Sequence, residues 1–381
     1  MPYFDYNATS PMVRVAREAW VAAQDEAWQN ASSPHRAGVR VGLRLQAARE
    51  KLAVLLDCEA ERIVFTGGAT EGAHAIMQHL SEQLPLDARI GVSVTEHPAV
   101  LAAVGSYFES ERVVRLPGTF GGTVALERVD QALAAGVKVI VLMAANNEVG
   151  FLQPWAEVAR KCRAAGAMLV CDATQWLGKL AAGGLAEADW VIGSAHKFGG
   201  PKSVGFLLRP AAENGFSVRR GGAQERGQRG GTEDFPGIAA MVAALAEAEQ
   251  SKVLLEDDRV RTRQAFEAEI TRRLEGVRVL APVVERLWNT VALVMPYAEN
   301  HRWVAKLDKH DVQVSTGSAC ASGKEAPSHV LAGMGVAPEE ARRVIRISAG
   351  WDTVPGDWQK LADALVAVAD ELKPPSNVVS V

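Results

Sequence analysis

The chain has 381 residues, 48% of them hydrophobic and 23% charged, with a formal net charge of -4; that length suits two domains with a sizeable core, and the charge balance argues against a nucleic-acid or anionic-membrane surface. Four scattered cysteines, Cys58, Cys162, Cys171 and Cys320, lack C-x-x-C spacing, so no zinc or other metal site and no disulfide framework is expected. The opening MPYFDYNATS lacks the basic flank and apolar core of a signal peptide, and no apolar run approaches the ~18 residues of a membrane span, so a soluble cytoplasmic protein with small-molecule or protein partners is expected.

In chain order, residues 62–65 read as a strand, 70–80 as a helix, 89–94 as a strand and 98–109 as a helix. A strand over 137–143, a helix over 154–165 with proline in its first turn, and strands over 167–170, 190–192 and 204–208 follow. Strands alternating with helices predict a mainly parallel sheet covered on both faces. After the alanine-rich run 237–250 the texture changes, near residue 255, to a charged helix over 254–274. Strands at 289–294 and 343–347 and a closing helix over 357–372 then predict a second, smaller α+β domain.

The chemistry gathers where these strands end, at the carboxyl edge where open α/β sheets bind ligands. Lys197, beside His196, follows the strand that ends in Gly193, Ser194 and Ala195, and Asp172 follows the strand 167–170. An amine, an acid and phosphate donors together are what pyridoxal 5'-phosphate (PLP) requires. Thr66-Gly67-Gly68-Ala69-Thr70-Glu71-Gly72, between a strand and a helix, reads equally as an anion cradle or as a tight turn. His97 and Asn147 also follow strands, and each alone reads as structural or turn chemistry. Five polar strand ends converging on one edge favour a site. Gly199-Gly200-Pro201-Lys202-Ser203 lacks the first glycine of a phosphate loop and is set aside.

These residues resemble a known family. Phe4-Asp5-Tyr6-Asn7-Ala8-Thr9, Phe65-Thr66-Gly67-Gly68-Ala69-Thr70-Glu71, Thr95-Glu96-His97, Asn146-Asn147-Glu148-Val149-Gly150, Asp172-Ala173-Thr174-Gln175, His196-Lys197 and Arg229-Gly230-Gly231-Thr232 resemble the cysteine desulfurases of the class V aminotransferase group. Ser315-Thr316-Gly317-Ser318-Ala319-Cys320-Ala321-Ser322 is similar to the nucleophile loop of their group I, the iron–sulfur cluster assembly type. The resemblance implies the fold type I of PLP-dependent transferases. Its large domain, residues 15–255, carries a mainly parallel seven-stranded sheet, and residues 1–14 with 256–381 form the small domain bearing the nucleophile loop.

The resemblance also implies residue roles. Lys197 would hold PLP and shuttle protons, Asp172 would pair with the ring nitrogen, Gln175 and Asn147 would lie near the phenolic oxygen, and His97 would stack on the ring as an acid/base. Ala69, Thr70, Ser194 and His196 would hold the phosphate, and Thr232 would reach the phosphate of a partner subunit, implying a homodimer. Arg346, with Asn147, would bind the carboxylate of L-cysteine, and Cys320 would take sulfur as a persulfide while alanine is formed. A sulfur-acceptor protein such as an iron–sulfur scaffold is the implied partner. Trp176 and Trp351 depart from the family pattern. Selenocysteine lyase, another class V reaction, and an inactive sulfur-transfer or regulatory subunit remain open alternatives.

Overall fold

Apolar runs bounded by glycine and polar turns dictate the element order of the computed structural model, which describes residues 1–212, 215–218, 221–317 and 328–374. Helices α1 (Arg14–Glu26) and α2 (Arg36–Leu56) precede β1 (Ile63–Thr66), α3 (Ala69–Gln83), β2 (Ile90–Ser93), α4 (Pro98–Tyr107) and β3 (Val113–Leu116). Next come α5 (Leu126–Ala134), β4 (Val139–Met143), α6 (Trp155–Ala164), β5 (Met168–Asp172), β6 (Trp190–Ser194) and β7 (Gly205–Leu208). The remainder is α7 (Phe235–Arg273), β8 (Arg278–Val279), β9 (Thr290–Val294), α8 (Asn300–Lys309), α9 (His329–Gly333), α10 (Pro338–Ala341), β10 (Val344–Ser348) and α11 (Pro355–Leu372).

Seven strands form one sheet in the order β1-β7-β6-β5-β4-β2-β3. The pairs β2–β3, β2–β4, β4–β5 and β5–β6 are parallel, and β7 runs antiparallel to both β6 and β1. This is the expected mainly parallel sheet. Residues of β4 and β6 are buried throughout, because helices cover both faces and leave no solvent side for alternation to mark. The smaller antiparallel sheet has the order β10-β9-β8.

One correction to the sequence reading concerns residues 235–273. The texture change near 255 does not start a new helix, because α7 is continuous over 39 residues. Its first half packs Ile238, Met241 and Leu245 into the core of the large sheet, and its second half packs Phe266 and Ile270 into that of the small one. The charge excess beyond residue 254 reflects a helix whose apolar face narrows, not a break.

The first residues of the chain belong with the last strand. Phe4 is completely buried in the small sheet's core, its ring 5.0 Å from that of Trp358, a burial of about 1.5–3 kcal/mol. Tyr3 bridges Gln313, and Asp5 bridges Ser348. The peptide that follows, Asn7-Ala8-Thr9, is thereby laid along the carboxyl edge of the large sheet.

Candidate active site

A cavity of about 730 Å³ opens where β2, β4, β5 and β6 end, and it is walled on its far side by Arg346 of β10. It gathers Ala69, Thr70, His97, Asn147, Asp172, Gln175, Ser194, His196, Lys197 and Arg346, all singled out from the sequence. Thr232 is exposed and does not line it. Cys320 lies outside the described residues.

Lys197 Nζ donates to the carbonyl oxygens of Asn7 and Ala8, each at 2.7 Å. The amine is therefore placed by the N-terminal peptide as well as by the turn after β6. Asp172 ends β5, one strand over, and its Oδ1 accepts the Thr174 N–H at 2.9 Å. His97 caps α4, accepting the Ala99 N–H on Nδ1 at 3.1 Å. That bond puts the ring proton of the neutral imidazole on Nε2, the nitrogen left for the cavity. Burial pulls the His97 pKa down, with Lys197 and His329 adding to the effect against Asp172. His196, its Nδ1 3.0 Å from Thr9 Oγ1, is pulled down to about 4, first by burial and then by neighbouring lysines. Both rings are neutral at pH 7.

The turn from β1 into α3 supplies a cradle. Gly68 has φ +130, a conformation glycine adopts without strain, and no side chain among the described residues caps α3. Its first N–H groups and its dipole are thus available to an anion. A Cβ on Gly205 would lie 2.4 Å from the Gly193 carbonyl oxygen and 2.6 Å from Gly68 Cα, so β7 can pass this closely behind the cradle only as glycine. Ser194 Oγ sits just above Gly68. Lys202 and Ser203 also line the cavity, so the Gly-Gly-Pro-Lys-Ser stretch, set aside as a phosphate loop, reaches the site as a wall after all. Its role was hidden because it borders a strand start instead of a helix start.

Several groups escaped the sequence reading. Lys179 is buried, its Nζ donating to Gln175 Oε1 at 2.9 Å, and its pKa is pulled down to about 7 by burial and then by Lys197 and Arg346. Gln175 Nε2 in turn donates to the Asn7 carbonyl at 2.9 Å, so a lysine orients the amide that faces the cavity. His329 and Ser328 also line it; His329 Nε2 bonds the Glu96 carbonyl oxygen at 2.7 Å and Ser328 Oγ donates to Glu148 Oε2 at 2.6 Å. A Ser-His pair at the start of a short helix, Ser328 as its N-cap and His329 as its first residue, carries no sequence signal beyond that cap.

Glu96 is fully buried beside His97; its Oε1 accepts the Met143 N–H at 2.7 Å, while Oε2 has no partner among the described residues. Burial pushes its pKa from 4.5 up to about 8. Between those two values the folded chain keeps a proton that the unfolded chain has lost, so stability falls as pH rises through this window. We expect Glu96→Gln to remove that slope, with little change in melting temperature at pH 4.5 and a rise of several degrees, worth on the order of 1–3 kcal/mol, at pH 8. Thermal melts of both proteins across this range check it, and parallel curves would contradict it.

Residues 2–361 match the family described as Aminotransferase class-V, and the chain belongs to that family. It is 35% identical over 379 residues to a protein named cysteine desulfurase from Cereibacter sphaeroides, covering 97% of this chain and 96% of that one. A cysteine desulfurase from Frankia sp. (strain EuIK1) is 36% identical over 390 residues, covering 97% and 91%. Among solved structures, one titled NifS-like protein superposes with a TM-score of 0.89 at 28% identity, covering 97% of this chain and all of that one. The NifS-like protein from Rickettsia africae ESF-5 gives 0.87 at 26%, covering 97% and 99%. The fold is PLP fold type I, and PLP is the cofactor.

The residues present fit that cofactor. An uncapped helix N-terminus with Ser194 beside it suits a phosphate, Lys197 offers an amine and Asp172 an acid, and buried Thr174 Oγ1 and Asn147 Oδ1 lack partners among the described residues. Among the described residues no cluster of His, Cys, Asp or Glu could hold a metal ion, and no helix is long and apolar enough to cross a membrane.

Proposed function

We infer that this protein is a PLP-dependent cysteine desulfurase that converts L-cysteine to L-alanine and carries the sulfur as a persulfide on Cys320. One observation carries the reading: the Lys197 amine, Asp172, neutral His97 and the Arg346 guanidinium all face one cavity in a chain 35% identical to a cysteine desulfurase over nearly its whole length. Bound PLP supplies an electron sink that lets the substrate Cα give up its proton.

Each residue then has a task. Ala69, Thr70, Ser194 and His196 hold the phosphate, the neutral His196 as a hydrogen-bond partner without charge. Asp172 keeps the ring nitrogen protonated by its own negative charge. Gln175, its oxygen turned to Lys179, offers N–H to the ring's phenolic oxygen, with Asn147 nearby. His97 Nε2 carries the proton that can be given up at the cavity, and Lys197 Nζ takes and returns protons at Cα. Arg346, with Asn147, takes the substrate carboxylate. Release of alanine and, with reductant, of sulfide from L-cysteine tests the reading; a keto acid or no product would reject it.

The reading extends to assembly. The large domain comprises residues 15–255, and the small domain residues 1–14 with 256–381; the protein works in the cytoplasm and passes sulfur to an acceptor such as an iron–sulfur scaffold protein. Thr232 serves the phosphate of a partner subunit in a homodimer. Its loop is anchored below: buried Arg49 Nη1 donates to Glu225 Oε2 at 2.9 Å, and Arg229 Nε donates to Glu71 Oε1 at 2.9 Å in the first turn of α3. Mixing Lys197→Ala and Thr232→Ala chains should restore about a quarter of wild-type activity, because half the dimers are hybrids with one intact site each. A monomer by light scattering, or no activity above the sum of the two, would reject the shared site.

A further inference from the structure

Arg346 is 1% exposed, and its guanidinium is already engaged. Nη2 donates to Asp5 Oδ1 at 2.6 Å, while Nη1 donates to the carbonyl oxygens of Gly317 at 2.7 Å and Asn147 at 3.1 Å. Nε is buried without a partner among the described residues. The carbonyls are neutral, so among the described residues Asp5 is the carboxylate in ion-pair contact with this buried cation. Glu148 lies near enough to feel Arg346, but burial outweighs that attraction and pushes its carboxyl toward the neutral form.

We propose that Asp5 is a resident carboxylate holding the guanidinium that the substrate's α-carboxylate takes, so that binding exchanges one carboxylate for another and Asp5 sets the selectivity for amino acids. The proposal rests on the reading of Arg346 as the carboxylate site. A buried guanidinium needs one counter-charge, and two carboxylates crowded on it repel. Asp5 is the partner able to leave, because its side chain is 22% exposed against 2% for Arg346. Its backbone stays fixed by the bridge to Ser348 and by the Tyr3 hydroxyl, which donates to the Asp5 carbonyl at 3.1 Å. The exchange is thus a side-chain rotation into water. An amine lacking a carboxylate cannot drive it and leaves Arg346 occupied.

Calorimetric titration of the PLP-loaded protein with L-alanine and with ethylamine tests this for wild type, Asp5→Asn, Asp5→Ser and Asp5→Glu. We expect Asn and Ser to tighten L-alanine about five- to tenfold and leave ethylamine unchanged, and Glu, which keeps the charge, to bind as wild type does. KM for L-cysteine should fall in the same two variants with kcat held. Weaker or unchanged L-alanine binding in Asn and Ser would show that Asp5 orients Arg346 instead and would overturn the exchange alone. Equal shifts for both ligands would overturn it as a general structural effect, with a lowered melting temperature as its mark. A wild-type protein that binds neither L-alanine nor L-cysteine would overturn the exchange together with the desulfurase reading.

Discussion

Lys197→Ala lowers turnover by at least about 10³-fold and removes the visible absorbance of the bound cofactor. The expectation follows from how the three nearby amines are held. Lys197 Nζ is presented by the Asn7 and Ala8 carbonyls at the carboxyl edge of β6. Lys179 is buried behind Gln175, with its Nζ bonded to that residue's side-chain and main-chain oxygens. Lys202 also lines the cavity, but it is exposed and stands before the start of β7, not at the carboxyl edge of β6. Borohydride reduction followed by peptide mapping should place the cofactor on Lys197. A label on Lys179 or Lys202 would overturn the assignment.

Cys320→Ser should load with PLP and bind L-cysteine normally while sulfide release falls by at least about 10²-fold. Serine's hydroxyl is too poor a nucleophile toward sulfur to replace a thiol. The other three cysteines cannot take over, for reasons visible in the fold. Burial pushes the Cys58 thiol up to about 11 and Cys162 up to about 12, and Cys171, enclosed in β5 beside Asp172, is raised well above its usual value. Such thiols hold almost no thiolate at neutral pH. Changing Cys58, Cys162 or Cys171 to alanine should cost stability through packing, about 1–2 kcal/mol at the buried sites, and leave sulfide release intact. Mass spectrometry after brief exposure to L-cysteine should find added sulfur on the Cys320 peptide. Sulfur on any other cysteine would reject the nucleophile.

Much of the site was legible because a parallel sheet puts every strand's carboxyl end on one edge. Once the strands ending near Phe65, Val94, Met143, Val170 and Ile192 are read, the residues after them must share that edge, and they do. The short strand β3 was not read, since its edge position leaves Arg115 exposed and its apolar run too short to stand out. The continuity of α7 was also hidden, because composition reports the face a helix buries and not where its hydrogen bonds stop. The contributions of Asp5, Asn7, Lys179 and His329 were invisible for another reason. Each acts through a contact across the fold: Asn7 joins Lys197, Gln175 and Thr290, and no local period encodes such pairings.

The pairing of the first residues with β10 has a consequence for how the chain matures. Asp5 and Arg346 meet although they lie 341 positions apart in the chain, as do Asn7 and Ser348, so their contact closes one of the longest loops the chain can form. A nascent chain can complete the large sheet through β7 before residue 300 has been made, yet the peptide whose carbonyls hold the Lys197 amine, tied to His196 at Thr9 and Ser10, gains its second set of anchors, on Ser348, only once β10 has emerged. Local elements therefore form early, and closing the site is the late, slow event. Cofactor capture during synthesis should accordingly report completion of the last strand, not of the sheet that lines most of the cavity.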